Sequence, residues 1–192
     1  DVRPKPFQDP HPPFYIGGIS PAAVDVGSRH ADVYLFWSNT FEQITTDMAT
    51  VSAAAKSHDR EDQLRYGLRS HVLVRETAEE AQAAVKLLMA DATDQMRAHR
   101  QNALGNQSHA DARMREVAEE AAENDHWLSD TLWAGITTIR HGAGVTIVGS
   151  AEQVAETIQG YIDLGISSFC LSGYPHDEEA TRFGDLVMPA FQ

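Results

Sequence analysis

A single cysteine, Cys170, stands among 192 residues, so no internal disulfide forms and a cysteine-ligated zinc site would need thiols the chain does not have. Cations are also scarce. Fifteen Lys and Arg face 28 Asp and Glu, a formal net charge of -13, and such a field repels phosphate backbones and anionic lipid surfaces. Nucleic acid and membrane are poor partners on this count. No apolar run approaches the ~20 residues of a bilayer span, and the opening DVRPKPFQDPHPP has no apolar signal-peptide core. Cysteine usage fits a reducing compartment, and a cytoplasmic protein is expected. His11, His30, His58, His99, His109 and His126 follow no metal-ligand spacing, and no metal is expected. What is present, 42% apolar and 22% charged residues, suits one globular domain with a sizeable core.

Residues 1–13 hold Pro4, Pro6, Pro10, Pro12 and Pro13 and read as an extended linker. Phe14-Tyr15-Ile16-Gly17-Gly18 reads as a strand with a glycine turn, and Ser20-Pro21 as a helix N-cap followed by proline at the first helical position. Val33-Tyr34-Leu35-Phe36-Trp37 is a second strand, and Thr40 to Gln43 a capping box. Leu64 to Val74 is a third strand, and Thr77 to Glu80 caps a helix running through Leu88. Thr146 to Gly149 and the box Ser150 to Gln153 repeat the pattern, with a helix to about Leu164. Phe169-Cys170-Leu171 is a strand opening onto Ser172-Gly173-Tyr174-Pro175; Cys170, inside it, is expected to be a small buried residue. The helix Asp177 to Val187 and Met188-Pro189 read as structural. Strands alternating with capped helices predict an α/β fold, a parallel sheet covered by helices. Residues of about 92–126 break the pattern and read as an insertion with helical patches.

Five stretches in order resemble the second half of the bacterial luciferase-like flavin-dependent monooxygenases, closest in look to the alkanesulfonate monooxygenases. They are Phe14 to Ser20, Asp32 to Trp37, Tyr66 to Thr77, Leu132 to Gly135 with Arg140 to Gly144, and Leu171 to His176. The resemblance implies a (β/α)8 TIM barrel, this chain carrying about strands five to eight. Four strands would leave two open edges and an uncovered interior, so the chain is expected either to belong to a longer polypeptide or to pair with another copy. A homo-oligomer is expected. The implied chemistry uses reduced FMN (FMNH2) from a separate flavin reductase, and dioxygen, to convert a small alkanesulfonate to an aldehyde and sulfite. The rival readings are a related monooxygenase acting on a sulfone or heterocycle, and a half-barrel without turnover.

Barrel sites form at the C-terminal ends of strands, where the candidates fall. Gly18, Ile19 and Ser20 join a strand end to a helix N-terminus, which suits a phosphate; an ordinary serine-capped turn reads the same locally, and the resemblance adds the flavin phosphate. Trp37, at the next strand end, would sit beside the flavin ring or serve as core. Arg69 and His71 are two apart on a strand and share a face. They would hold an anion and relay a proton, unless both point outward. Tyr174 and His176 would position substrate from the last loop, and Arg140 would bring a cation over an anionic substrate. Family members often carry glycine where His141 stands, which puts the substrate's shape in question.

Overall fold

The computed structural model describes residues 3–9, 11–102, 109–140, 142 and 144–192. The first elements are β1 (Tyr15–Gly17), α1 (Pro21–His30), β2 (Val33–Trp37), α2 (Phe41–Lys56), β3 (Arg65–Arg75) and α3 (Ala78–Ala90). They are followed by α4 (Asp94–Asn102), α5 (His109–Glu120), β4 (Leu132–Trp133), β5 (Thr146–Ser150), α6 (Ala151–Asp163), β6 (Ile166–Ser172) and α7 (His176–Leu186). The helices start where the sequence supplies caps. Ser20, Thr40, Thr77 and Ser150 each accept a hydrogen bond from the backbone N–H three residues on. Only Ser150–Gln153 closes as a full capping box. At Thr40 the expected reciprocal bond is replaced: Thr40 N–H donates to Asn39 Oδ1 at 2.8 Å, and Gln43 Nε2 donates to Asp47 Oδ1 at 2.9 Å.

The sheet is built around β3, eleven residues long. Its first half pairs in parallel with β2, Val33 opposite Arg65 through Trp37 opposite Arg69. Tyr66 to His71 pair with β6 as well, so β2 and β6 occupy opposite edges and β1-β2-β3-β6 form an arc of four parallel strands. Its second half, His71 to Arg75, pairs with β5. Because His71 is shared by β5 and β6, β5 follows β2 along the same edge. Thr146 to Gly149 are thus not a strand of the arc but an extension of its rim, edged by antiparallel β4. The expected run of four barrel strands is met by β1, β2, β3 and β6.

Side chains alternate along these strands. A Cβ on Gly67 would meet Ser168 Oγ at 2.7 Å and Leu35 Cδ1 at 3.0 Å, which puts positions 35, 67 and 168 on one face, and Trp37, Arg69, His71, Cys170 and Ser172 with them. The other face turns to the helices. Tyr34 packs against Gly27 of α1, and Tyr34, Phe36 and Tyr66 form a run of ring contacts. The main core, including Ile44, Leu68, Val154, Ile158 and Tyr161, lies in that layer. At roughly 25 cal/mol per Å² of buried apolar area this layer is the main source of stability.

Cys170 departs from expectation: it is exposed. Its position opposite Arg69 places it on the inner face of the arc, away from the helices, and Tyr15 on β1 is likewise 54% exposed. Among the described residues, β1 and β6 each have one edge without a strand partner, and no helix is long and apolar enough to cross a membrane.

Candidate functional site

The first part of the site is a cavity of about 460 Å³ at the ends of β1 and β2. Its floor is the turn Gly17-Gly18-Ile19-Ser20, with Leu35, Trp37 and Asn39 beside it and His109, Arg113 and Met114 of α5 above. Gly18 has φ +144°, and a Cβ there would stand 2.6 Å from Ala23 Cβ, so the turn requires glycine. Tyr34 Oη donates to Gly18 O at 2.8 Å and holds the turn from the helix layer. Burial and nearby Asp47 push the Tyr34 phenol up to about 12, so it stays a donor near neutral pH. Ser20 Oγ accepts from Ala23 N at 3.2 Å, whereas the backbone N–H groups of Ile19 and Ser20 have no acceptor among the described residues. Asn39 is 3% exposed. Its Oδ1 accepts from Thr40 N and its backbone oxygen from Tyr161 Oη at 2.5 Å, but its amide nitrogen donates to nothing among the described residues. Free N–H donors at the positive end of a helix, in a recess a side chain would fill, suit a phosphate group.

The second part stands at the ends of β3 and β6. His71 is 2% exposed, and its Nδ1 lies 2.9 Å from Ser172 Oγ on the neighbouring strand. Its ring centroid is 5.1 Å from that of Tyr174, which lies 4.9 Å from His176. The Arg140 guanidinium sits 4.7 Å from the Tyr174 ring centre, a cation–π contact. His71 Nε2 and Tyr174 Oη are both buried without a hydrogen-bond partner, a costly arrangement that a ligand would relieve. Burial first, then the positive charges of Arg69 and Arg140, lower the His71 pKa to about 4, partly opposed by the Ser172 bond. The imidazole is therefore neutral at pH 7. Arg69 shares its face and spends Nη1 on Ser70 O at 2.7 Å. His176 Nδ1 bonds Gly173 O.

Arg69, His71, Tyr174, His176 and Arg140 thus gather around β3 and β6, while Gly18, Ile19, Ser20 and Trp37 line the cavity at β1 and β2. His141 lies outside the described residues. Sequence reasoning missed Asn39, Asp47, Arg113, Ser172 and Glu179. Asp47 and Arg113 are 66 residues apart and meet at 2.6 Å through a tertiary contact with no local motif. Ser172 was within reach, since two-residue alternation puts it on the face of Cys170. Glu179, 3% exposed, takes Arg75 Nη1 at 2.9 Å and Arg182 Nη1 at 2.6 Å. It fastens the start of α7, and with it the Tyr174 loop, to the far end of β3.

A family model for luciferase-like monooxygenases matches residues 1–168. The chain belongs to that family. Solved structures agree in fold. The structure of DmoA from Hyphomicrobium sulfonivorans superimposes with a TM-score of 0.72 at 18% identity, over 93% of this chain and 41% of that one. EDTA monooxygenase (EmoA) from Chelativorans sp. BNC1 gives 0.67 at 19% identity, over 93% of this chain and 44% of that one. The coenzyme F420 dependent tetrahydromethanopterin reductase from Methanopyrus kandleri gives 0.56 at 18%, over 94% and 51%. At such identities the likeness is one of fold. This luciferase-like chain spans about half or less of the length of these neighbours, and its arc is part of a (β/α) barrel.

Proposed function

We propose that this chain supplies half of the active site of a monooxygenase that uses reduced FMN and dioxygen to cleave a small alkanesulfonate. The observation that carries the reading is the pair of buried, unpartnered polar atoms, His71 Nε2 and Tyr174 Oη, beside two arginines at the strand ends of a luciferase-like fold. A cavity with free backbone N–H groups and the Asn39 amide nitrogen fits the phosphate of a flavin mononucleotide, and Gly18, Ile19 and Ser20 would hold it, with Trp37 beside the ring system. Reduced flavin, when bound, supplies two electrons and activates dioxygen. One oxygen atom ends in the aldehyde and the other in water, while the carbon–sulfur bond breaks and sulfite leaves.

The protein's part is positioning and charge. Arg69 and Arg140 bind the sulfonate, whose three oxygens match guanidinium donors. Arg140, exposed and stacked on Tyr174, can reach an anion without leaving the ring face. His71 is neutral, its Nδ1 engaged by Ser172, so Nε2 holds a defined role in proton transfer. Tyr174 donates its phenolic hydrogen bond to the reacting oxygen, and His176 orders the loop that carries it. A separate reductase delivering the reduced flavin and a cytoplasmic location belong to the same proposal.

Anaerobic titration with reduced FMN, followed by the fluorescence of Trp37, Trp127 and Trp133, tests the cofactor claim. Saturable micromolar quenching that weakens in Ser20→Ala supports it, and no quenching sinks it. Turnover with a series of alkanesulfonates tests the substrate. A lack of sulfite from every member redirects the reading to a non-sulfonate substrate such as a sulfone or heterocycle. The half-barrel without turnover is favoured by one observation, the exposure of Tyr15 and Cys170 on the inner face; flavin binding without any oxygenation would support it.

A further inference from the structure

The least expected contributor to the β1–β2 cavity is Arg113. It comes from α5, in the polar stretch between α3 and β4 that carries no barrel strand, yet it lines the same cavity as Gly18, Ile19 and Ser20. Among the described residues its one partner is Asp47 of α2, and the contact is lopsided. Both carboxylate distances, 2.9 Å to Oδ1 and 2.6 Å to Oδ2, come from the single nitrogen Nη1. Nη2 and Nε donate to nothing among the described residues. A guanidinium offers five N–H donors in a planar fork; here most of that fork is unspent and faces a recess already provided with backbone N–H groups and the unpartnered nitrogen of Asn39, 3% exposed. Asp47 is well placed to orient Arg113 but is itself the negative charge in the cavity, with Gln43 Nε2 as its other partner at 2.9 Å.

We infer that Arg113 is a phosphate-binding residue that discriminates a phosphorylated flavin from its dephosphorylated form, and that the Asp47 carboxylate holds it in place at the cost of some affinity. This rests on reading the cavity as the flavin phosphate site. The ligand chemistry is a phosphate monoester dianion, taken by the free edge of the guanidinium, the Ile19 and Ser20 N–H groups and the Asn39 amide. The arrangement couples α5 to the ligand. An incoming phosphate tightens Arg113 against the turn, and α5 closes the cavity from above without any new backbone contact.

The test compares FMN with riboflavin, which lacks only the phosphate, by fluorescence titration of the purified chain. The unaltered chain binds FMN more tightly than riboflavin. Arg113→Gln weakens FMN binding about tenfold or more, as expected for a charge-assisted contact, and leaves riboflavin binding unchanged. Asp47→Asn strengthens FMN binding several-fold with no effect on riboflavin, because a repelling charge is gone. The opposite outcome is equally clear: if Arg113 only pins α5 to α2, both variants lose FMN and riboflavin affinity alike, and the inference fails. Circular dichroism of each variant separates such a loss from unfolding. The two readings fail differently. If the unaltered chain binds FMN and riboflavin equally, the phosphate site itself is wrong and the inference falls with it. If FMN is preferred and Arg113→Gln keeps the full preference, only the role of Arg113 is overturned.

Discussion

The two ends of the site are built by opposite means. At β1 and β2 the cavity is made from backbone: a glycine turn, a helix start and a hydroxyl cap, with charges brought in from α2 and α5. At β3 and β6 the site is made from a row of side-chain rings in tilted contact, His71 against Tyr174 against His176. The first sets a few polar groups, the turn's free N–H groups, Asn39 and the Asp47–Arg113 pair, into a largely apolar lining. The second keeps its imidazole neutral by burial. The difference teaches that equivalent strand ends of one fold can present free backbone donors in one place and a buried, neutral imidazole in another, according to what surrounds them.

The largest effect is expected where the side-chain end is anchored. Glu179→Ala leaves Arg75, whose side chain is 22% exposed, without its carboxylate and is expected to cost roughly 2–4 kcal/mol in urea unfolding; a loss under 0.5 kcal/mol would mean the packed end holds itself. Next comes pH. The native His71 titrates near 4 and the unfolded one near 6.5, so between those values the unfolded state takes up a proton that the native state refuses. Stability conferred by neutral His71 is complete above 6.5 and falls by about 3 kcal/mol as pH drops to 4. Unfolding at pH 7 and pH 5 checks this, and His71→Gln should flatten the slope. At the backbone end, Tyr34→Phe removes the bond to Gly18 O. About 1 kcal/mol of stability and a measurable share of flavin affinity should go together; a stability loss with unchanged affinity would uncouple turn and ligand. The smallest contrast is between caps. Ser150→Ala, breaking a reciprocal box, should cost about 1 kcal/mol and Thr40→Ala somewhat less in thermal melts.

The backbone end was the more legible. Gly17-Gly18 followed by Ser20-Pro21 is a local signal for a strand, a turn and a capped helix, and the chain folds so. Arg69 and His71 could be placed on one face by counting in twos. The packed cluster around them could not be read locally, because Arg140 reaches Tyr174 from a stretch more than thirty residues away and Ser172 meets His71 only through the β3–β6 register. One reading failed. Cys170 was expected to be buried, and its exposure depends on which face of the sheet it shares with Arg69, whereas Thr146 to Gly149 form a parallel strand as expected, set against the second half of β3. The Arg113–Asp47 pair left no sequence trace at all.

β3 is paired along both edges from Tyr66 to Arg69 and again at His71, and continues against β5 to Arg75. In its first half, neighbours on two sides must let go before the strand can leave the sheet. Hydrogen–deuterium exchange should therefore find the slowest-exchanging backbone of the chain in this strand. Protons on Arg69 and His71 amides should outlast those of the Gly18 turn by orders of magnitude, making β3 the segment whose opening reports global unfolding.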